Sequence, residues 1–159
     1  MYTDGLSFLE DERAAWLPFE ALASLPDEDF VHPVQAAHGW SARDLAIHLT
    51  WWQAHALDVA RELAVADRSV AWERGERAWE EKGDAINDEI AAAAAGMTDD
   101  DVRARLTSVP GELRGYLTVV PETRWVKNTV YRDFFLEETI DHYADHEADL
   151  AAILSAGGR

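Results

Sequence analysis

Apolar residues recur at Leu45, Leu49, Trp52, Ala56, Val59 and Leu63, at intervals of four, three, four, three and four. This is the rhythm of a helix with one face in a core. Ser41 stands at the N-cap position and Ala42, Arg43 and Asp44 form a first turn, so the pattern predicts a helix over residues 41–65. Residues 4–25 are rich in helix formers, with Leu6, Leu9, Trp16 and Leu17 near helical spacing and Pro18 as a point of kinking or breakage. Residues 26–39 carry Pro26, Pro33 and Gly39 without a sustained period and read as a surface connection. Residues 72–95 begin polar and end in an alanine run before Gly96, which predicts a weaker, partly exposed helix. Thr98 and the three aspartates after it make a strong helix start, because both the cap and the negative charges suit the positive end of a helix dipole. That helix carries Val102, Leu106, Val109, Leu113, Tyr116 and Leu117, meets a possible kink at Pro110 and ends near Pro121. After a connection over residues 121–128, residues 130–154 read as one long helix with Phe134, Ile140, Leu150 and Ile153 inward, stopped by the tail AGGR. Four main helices, a weaker fifth in the crossover and no alternating pattern predict an all-α four-helix bundle.

Length and composition narrow the classes. A chain of 159 residues is expected to be one domain, residues 1–159. It holds 31 acidic and 14 basic residues, a formal charge of −17, which repels phosphate backbones and anionic lipid headgroups. No nucleic-acid partner is expected. With no cysteine there is no disulfide, thiolate ligand or thiol nucleophile, so any reacting sulfur must arrive with a substrate. The acidic N-terminus and the lack of ~18 uninterrupted apolar residues predict a cytoplasmic protein without a membrane partner.

The candidate chemistry lies in the histidines. His142 and His146 are four apart, one turn above each other on a helix face, so two imidazoles can reach one metal ion. His48 sits between Leu45 and Leu49 on the apolar stripe and must point into the bundle or its mouth. A third inward imidazole completes a site with coordination positions left open, as catalytic metals require. His48, His142 and His146 are therefore the candidate ligands, with zinc or nickel the leading ions. His55, two turns beyond His48, is about 10 Å further along the helix, too far to share the ion. It is a candidate for lining the pocket together with Trp51 and Trp52, and Trp40 precedes them. Glu138, one turn before His142, is the candidate catalytic residue as a general base, with the roles of fourth ligand or partner to an imidazole N–H also open. Asp141, Asp145 and Asp149 flank the same stretch, and one of them can orient a ligand histidine. His32 and His38 lie in the connection without an assigned role.

Two segments carry a resemblance to a known family. Gly39-Trp40-Ser41-Ala42-Arg43-Asp44-Leu45-Ala46-Ile47-His48-Leu49 resembles the second-helix segment of the DinB-like superfamily, and His142-Tyr143-Ala144-Asp145-His146 resembles its closing His-x-x-x-His. The resemblance implies a four-helix bundle with up-down-down-up topology and a divalent metal on three histidines at these places. The group includes the N-terminal domain of mycothiol-dependent maleylpyruvate isomerase, bacillithiol transferases, and self-resistance proteins of the ClbS/DfsB kind that hydrolyse reactive electrophiles. Trp79 and Asn87 look like the ClbS/DfsB or actinobacterial mycothiol branch. The chain has no room for the second domain of the isomerase.

Two function classes follow. In one, the ion activates a low-molecular-weight thiol or water against a small electrophile, making a metal-dependent S-transferase or hydrolase. In the other, the bundle binds a metal or small molecule without turnover, as a stress or self-resistance protein. A homodimer is the expected assembly, since symmetric dimers are the commonest.

Overall fold

The computed structural model describes residues 1–158; Arg159, the last residue of the predicted stop, lies outside them. The helices are α1 (Gly5–Trp16), α2 (Asp27–Phe30), α3 (Ala42–Val65), α4 (Val70–Lys82), α5 (Ala85–Ala94), α6 (Asp99–Val119), α7 (Thr129–Leu136), α8 (His142–Asp145) and α9 (Glu147–Gly157). Among the described residues the one extended pairing is an isolated bridge between Val34 and Trp40, so the fold is all-α as the pattern predicts. No helix among them is long and apolar enough to cross a membrane.

Local chemistry explains the strongest boundaries. The Ser41 hydroxyl accepts from the Asp44 backbone N–H at 3.1 Å while the Asp44 carboxylate accepts from the Ser41 N–H at 2.9 Å, a reciprocal cap that starts α3. Thr98 caps α6 through the Asp101 N–H at 3.1 Å, and α6 continues across Pro110.

Four expectations are corrected. The first helical segment ends at Trp16 and passes into a 3-10 stretch, Leu17–Ser24, with Pro18 at its start. Its inner face is Phe8, Glu12, Trp16 and Phe19, whereas Leu6 and Leu17 are 67% and 54% exposed. The connection over residues 26–39 is partly ordered: it contains α2, whose Phe30 is fully buried, and a 3-10 turn, Gln35–Ala37. The crossover is two helices, not one, because Gly83 takes a positive φ of 53° that turns the chain between α4 and α5. The final segment is interrupted by a π-helical turn, Glu137–Asp141, and again at His146, whose φ and ψ of −107° and 7° leave the helical region. Inside the π turn the buried Thr139 hydroxyl donates to the Phe135 carbonyl at 2.5 Å, the back-bonding that accompanies bent helices. Phe134, Leu150 and Ile153 are buried as expected, while Ile140 is half-buried.

Two apolar clusters form the core. One gathers Trp16, Phe19, Leu45, Leu49, Val102, Leu106, Leu150 and Ile153. The other gathers Phe8, Ala56, Leu63, Leu113, Leu117, Trp125, Phe134 and Phe135. Helices α3 and α6, the most extensive helix pair, both run from the first cluster to the second, and α1 and the final segment run the other way. Because α3 and α6 share a direction, the chain must return along their length between them. Helices α4 and α5 make that return against α3.

Candidate metal centre

His48 projects from α3, His142 opens α8 and His146 closes it. Their ring centroids are 4.8 Å apart for His48–His142, 4.8 Å for His48–His146 and 5.1 Å for His142–His146. One nitrogen from each lies within 4.8 Å of the others. The His48 and His142 Nε2 atoms are 2.8 Å apart, so one imidazole donates to the other. An ion shared by all three requires the nitrogens to lie within the ~4 Å span that two metal–nitrogen bonds allow. The helix interruptions are what aim the second and third rings, since α8 is a single turn between the π segment and the break at His146.

Orientation comes from the neighbours. His146 Nδ1 is 2.8 Å from the Asp149 carboxylate, which is 6% exposed, so Nδ1–H donates there and Nε2 is left for the cluster. Of the three flanking aspartates, Asp149 is thus the one paired with a cluster histidine; Asp145 lines the cavity and Asp141 is exposed. Trp40 stacks on His146 at 5.6 Å and 18° and lies 5.0 Å from His48. Asn87, from α5, lines the same cavity as His48 and accepts from Trp52 Nε1 at 3.0 Å. His38 is exposed with Nε2 3.6 Å from Asp149, and His32 is exposed.

The rings front a cavity of about 540 Å³ whose other walls include Trp52, His55, Glu76, Trp79, Glu137 and Glu138. Trp51 is elsewhere: it lines an adjoining cavity with Trp52 and His55 and lies 5.4 Å from the Arg105 guanidinium. His55 reaches the main cavity but stands outside the imidazole cluster, as its distance along the helix requires. A larger, shallower groove between α1 and α6 shares no lining residue with this cavity. The sequence did not single out Glu76 or Glu137. The π turn is the reason for Glu137, because a wider turn brings it to the cavity beside Glu138, whereas regular i, i+4 spacing selects Glu138 alone.

Burial sets the charge states. It pushes the His48 imidazole down to about 3, helped by His142 and His146, and His142 down to about 4, helped by His146. Both rings are therefore neutral at pH 7, the form that ligates. Burial pushes the Glu138 carboxyl up to about 8, with Glu137 and Glu76 adding to the shift. Glu138 makes no hydrogen bond to the three histidines and lies outside the cluster of ligand atoms.

Two expectations follow. Since His48 and His142 titrate below an ordinary imidazole, the unfolded chain binds more protons than the metal-free fold between their native values and about 6.5. Stability present above pH 6.5 is then lost as the pH falls through that window, by on the order of 1 kcal/mol per pH unit per group. Urea midpoints at pH 7, 5.5 and 4.5 in chelator measure this, and His48→Asn should flatten the slope. The second concerns Gly75 in α4, where a Cβ would lie 2.4 Å from His55 Nε2, closer than any real contact. Gly75→Ala should lower the melting temperature, by about 1–3 kcal/mol of overpacking set against about 1 kcal/mol of helix propensity. A higher melting temperature would mean that His55 swings aside freely.

The family model for the mycothiol maleylpyruvate isomerase N-terminal domain matches residues 10–152, a span that includes all three clustered histidines and Glu138. No curated protein and no solved structure matches the chain. The family match, covering most of the chain, agrees with the three-histidine geometry: the chain belongs to the mycothiol maleylpyruvate isomerase N-terminal domain family, within the DinB-like superfamily.

Proposed function

We propose that the chain is a metal-dependent enzyme in which His48, His142 and His146 hold one divalent ion, zinc or nickel, and a low-molecular-weight thiol or water attacks a small electrophile. The observation that carries this reading is the convergence of three imidazoles on one wall of a cavity, with His146 oriented by the buried Asp149. The donor set fits such an ion: the rings are half-buried, His48 and His142 are held neutral, and open space lies in front of them. When bound, the ion lowers the pKa of a thiol or water it meets and so supplies a nucleophile at neutral pH. Glu138 is the group that handles the proton. Burial holds its carboxyl protonated in the metal-free chain; ionised beside an ion held by the histidines, it would accept the nucleophile's proton and return it to a leaving group. Trp52 forms an apolar wall beside the imidazoles, and Trp40 backs His48 and His146.

We also infer the up-down-down-up four-helix bundle from the order in which the helices cross the two core clusters. A homodimer is the proposed assembly, with the exposed Leu6, Leu17 and Val119 as apolar surface to bury.

The test is turnover by untagged, zinc- or nickel-loaded protein on a neutral alkylating electrophile, with and without cysteine or mycothiol, and products separated by mass spectrometry. A thioether product means transfer and a hydroxylated product means hydrolysis, and either is expected to vanish in His48→Ala. Full metal content without any product would place the chain in the non-catalytic binding class.

A further inference from the structure

One half-buried imidazole on the cavity wall is not used by the metal centre. Among the described residues His48 and His142 share a hydrogen bond and His146 donates to Asp149, whereas His55 takes part in no hydrogen bond or ion pair. Its flanks are aromatic: Phe134 meets it edge-on at 5.5 Å and Trp52 at 6.1 Å. The two carboxylates that act on it through charge are engaged elsewhere, Asp58 with Arg61 at 3.2 Å and Glu62 with the Ala71 N–H at 2.9 Å. Burial lowers the titration of the ring below the ordinary imidazole value, so at pH 7 it is neutral and offers one N–H donor and one lone pair.

A neighbouring helix gives way to this ring. Gly75 lies inside α4, where glycine is among the weakest helix formers, and a Cβ there would stand 2.4 Å from His55 Nε2 and 2.6 Å from Cε1. A smaller apolar side chain at position 55 would pack between α3 and α4 without leaving ring nitrogens short of partners, and would let a better helix former stand at position 75. His55, Trp52 and Gly75 are also the three residues shared by the main cavity and the adjoining one, which has a volume of about 270 Å³. A donor and an acceptor without protein partners therefore stand at the junction of two cavities, two helical turns, or about 10 Å, along α3 from His48.

We propose that His55 is the residue by which the site recognises its substrate: the imidazole hydrogen-bonds an uncharged amide or hydroxyl group of the ligand, which lies against Trp52 at the junction while the reacting end lies at the three histidines. An uncharged group fits because the aromatic flanks would strip water from an ion and leave it one hydrogen bond in return, and because Glu76, Glu137 and Glu138 on the same lining oppose an anion. The assignment rests on the catalytic reading above for what happens at the imidazole wall, and on His55 and its surroundings alone for the hydrogen bond.

The probes are benzamide and toluene, the same ring with and without an uncharged donor and acceptor, titrated into isotope-labelled protein in chelator and after zinc loading. Long-range imidazole NMR spectra, with the His55 signals assigned by their loss in His55→Gln, read the ring nitrogens directly. Benzamide is expected to shift a His55 ring nitrogen, and toluene to leave both in place. His55→Leu should weaken benzamide by about 3–10-fold, the range of one neutral hydrogen bond, and toluene by less than about two-fold. His55→Gln keeps a donor and an acceptor and should hold benzamide within about two-fold of wild type. Zinc content, read by elemental analysis, should stay at the wild-type value in both variants, because His55 lies outside the ligand cluster. Should His55→Leu fail to fold, the wild-type spectra and His55→Gln decide. Benzamide that does not bind, benzamide that binds without moving the His55 nitrogens, equal losses of both probes in His55→Leu, or a His55→Gln variant as weak as His55→Leu overturns the proposal. Protein that takes no zinc yet shows the benzamide shift supports this proposal and counts against the catalytic reading, so the two fail separately.

Discussion

His142→Ala is expected to weaken zinc binding by far more than the ~10–100-fold that loss of an outer partner costs, because it removes one of three ligating nitrogens. Asp149→Asn sets the comparison: it leaves all three rings in place, removes the carboxylate that fixes the His146 tautomer at 2.8 Å, and should fall within that ~10–100-fold range. Competition against a chromophoric chelator reads both. Thermal unfolding gives a second, independent reading, since a ligand that binds only the fold stabilises it by about 2.7 kcal/mol at a hundred times its dissociation constant. For a chain of this size that is a rise in melting temperature of roughly 5–10 °C. Wild type should show it on zinc addition, Asp149→Asn should need more zinc, and His142→Ala should show none. The unliganded fold should survive His142→Ala, because that ring is half-buried at the cavity and belongs to neither apolar cluster. Wild-type protein without a zinc-dependent rise, or a His142→Ala variant that keeps one, would remove the metal centre and the catalysis built on it.

The three histidines were legible in the sequence because a helix repeats. His48 sits on an unbroken stripe whose neighbours Leu45 and Leu49 are fully buried, so its direction follows from period alone. His142 and His146 were found for a less secure reason: a four-residue interval suggested one continuous helix, yet the rings meet His48 across a π turn on one side and a non-helical break on the other. Those interruptions arise from tertiary packing and from a buried threonine that bonds the preceding turn, neither of which periodicity reports. The same limit hid Glu137. Glu76 is hidden by the crossover, where helices with almost no buried residues carry no stripe, and Trp79 and Asn87 in the same crossover stand out through the family resemblance alone. Trp51 was placed beside Trp52 because they are adjacent, but adjacent helical positions are about 100° apart around the axis, and Trp51 lines only the adjoining cavity. In the first segment Leu6 and Leu17 mark an exposed face while Leu9 packs at the edge of the core, and the inward face escapes the apolar pattern because a charged residue, Glu12, occupies it.

That inward glutamate predicts the largest loss of stability. Glu12 is 1% exposed, and its carboxylate accepts from Arg114 Nη1 at 2.9 Å and from the Tyr143 hydroxyl at 2.8 Å, while Gln53 donates to the same hydroxyl at 2.8 Å. The network lies at the seam of the two apolar clusters, between Phe8 and Trp16 on α1 and between Leu49 and Ala56 on α3. The network has no spare donor, since the buried Gln53 Oε1 itself lacks a partner. Arg114→Met leaves a buried carboxylate without its cation, a change that costs about 3–5 kcal/mol, toward the lower end here because Arg114 keeps some contact with water. The melting temperature should fall by roughly 10 °C. Glu12→Gln should cost less, about 1–3 kcal/mol, since an amide oxygen still accepts from Tyr143 and the freed guanidinium can reach solvent. Glu12→Leu combined with Arg114→Leu should recover most of the Arg114→Met loss, because apolar replacement of a whole buried pair is often neutral. Tyr143 connects this stability to the site. Helix α8 is one turn, too short to hold itself, and its anchor is the Tyr143 ring, 1% exposed and packed 4.9 Å from Trp16 and 5.9 Å from Phe19. His142 precedes that ring in the chain and His146 follows it by three residues. Arg114→Met should therefore weaken zinc binding as well, although Arg114 lines no part of the cavity. Zinc affinity that stays at the wild-type value while the melting temperature drops would show that α8 holds its histidines independently of the core beneath it.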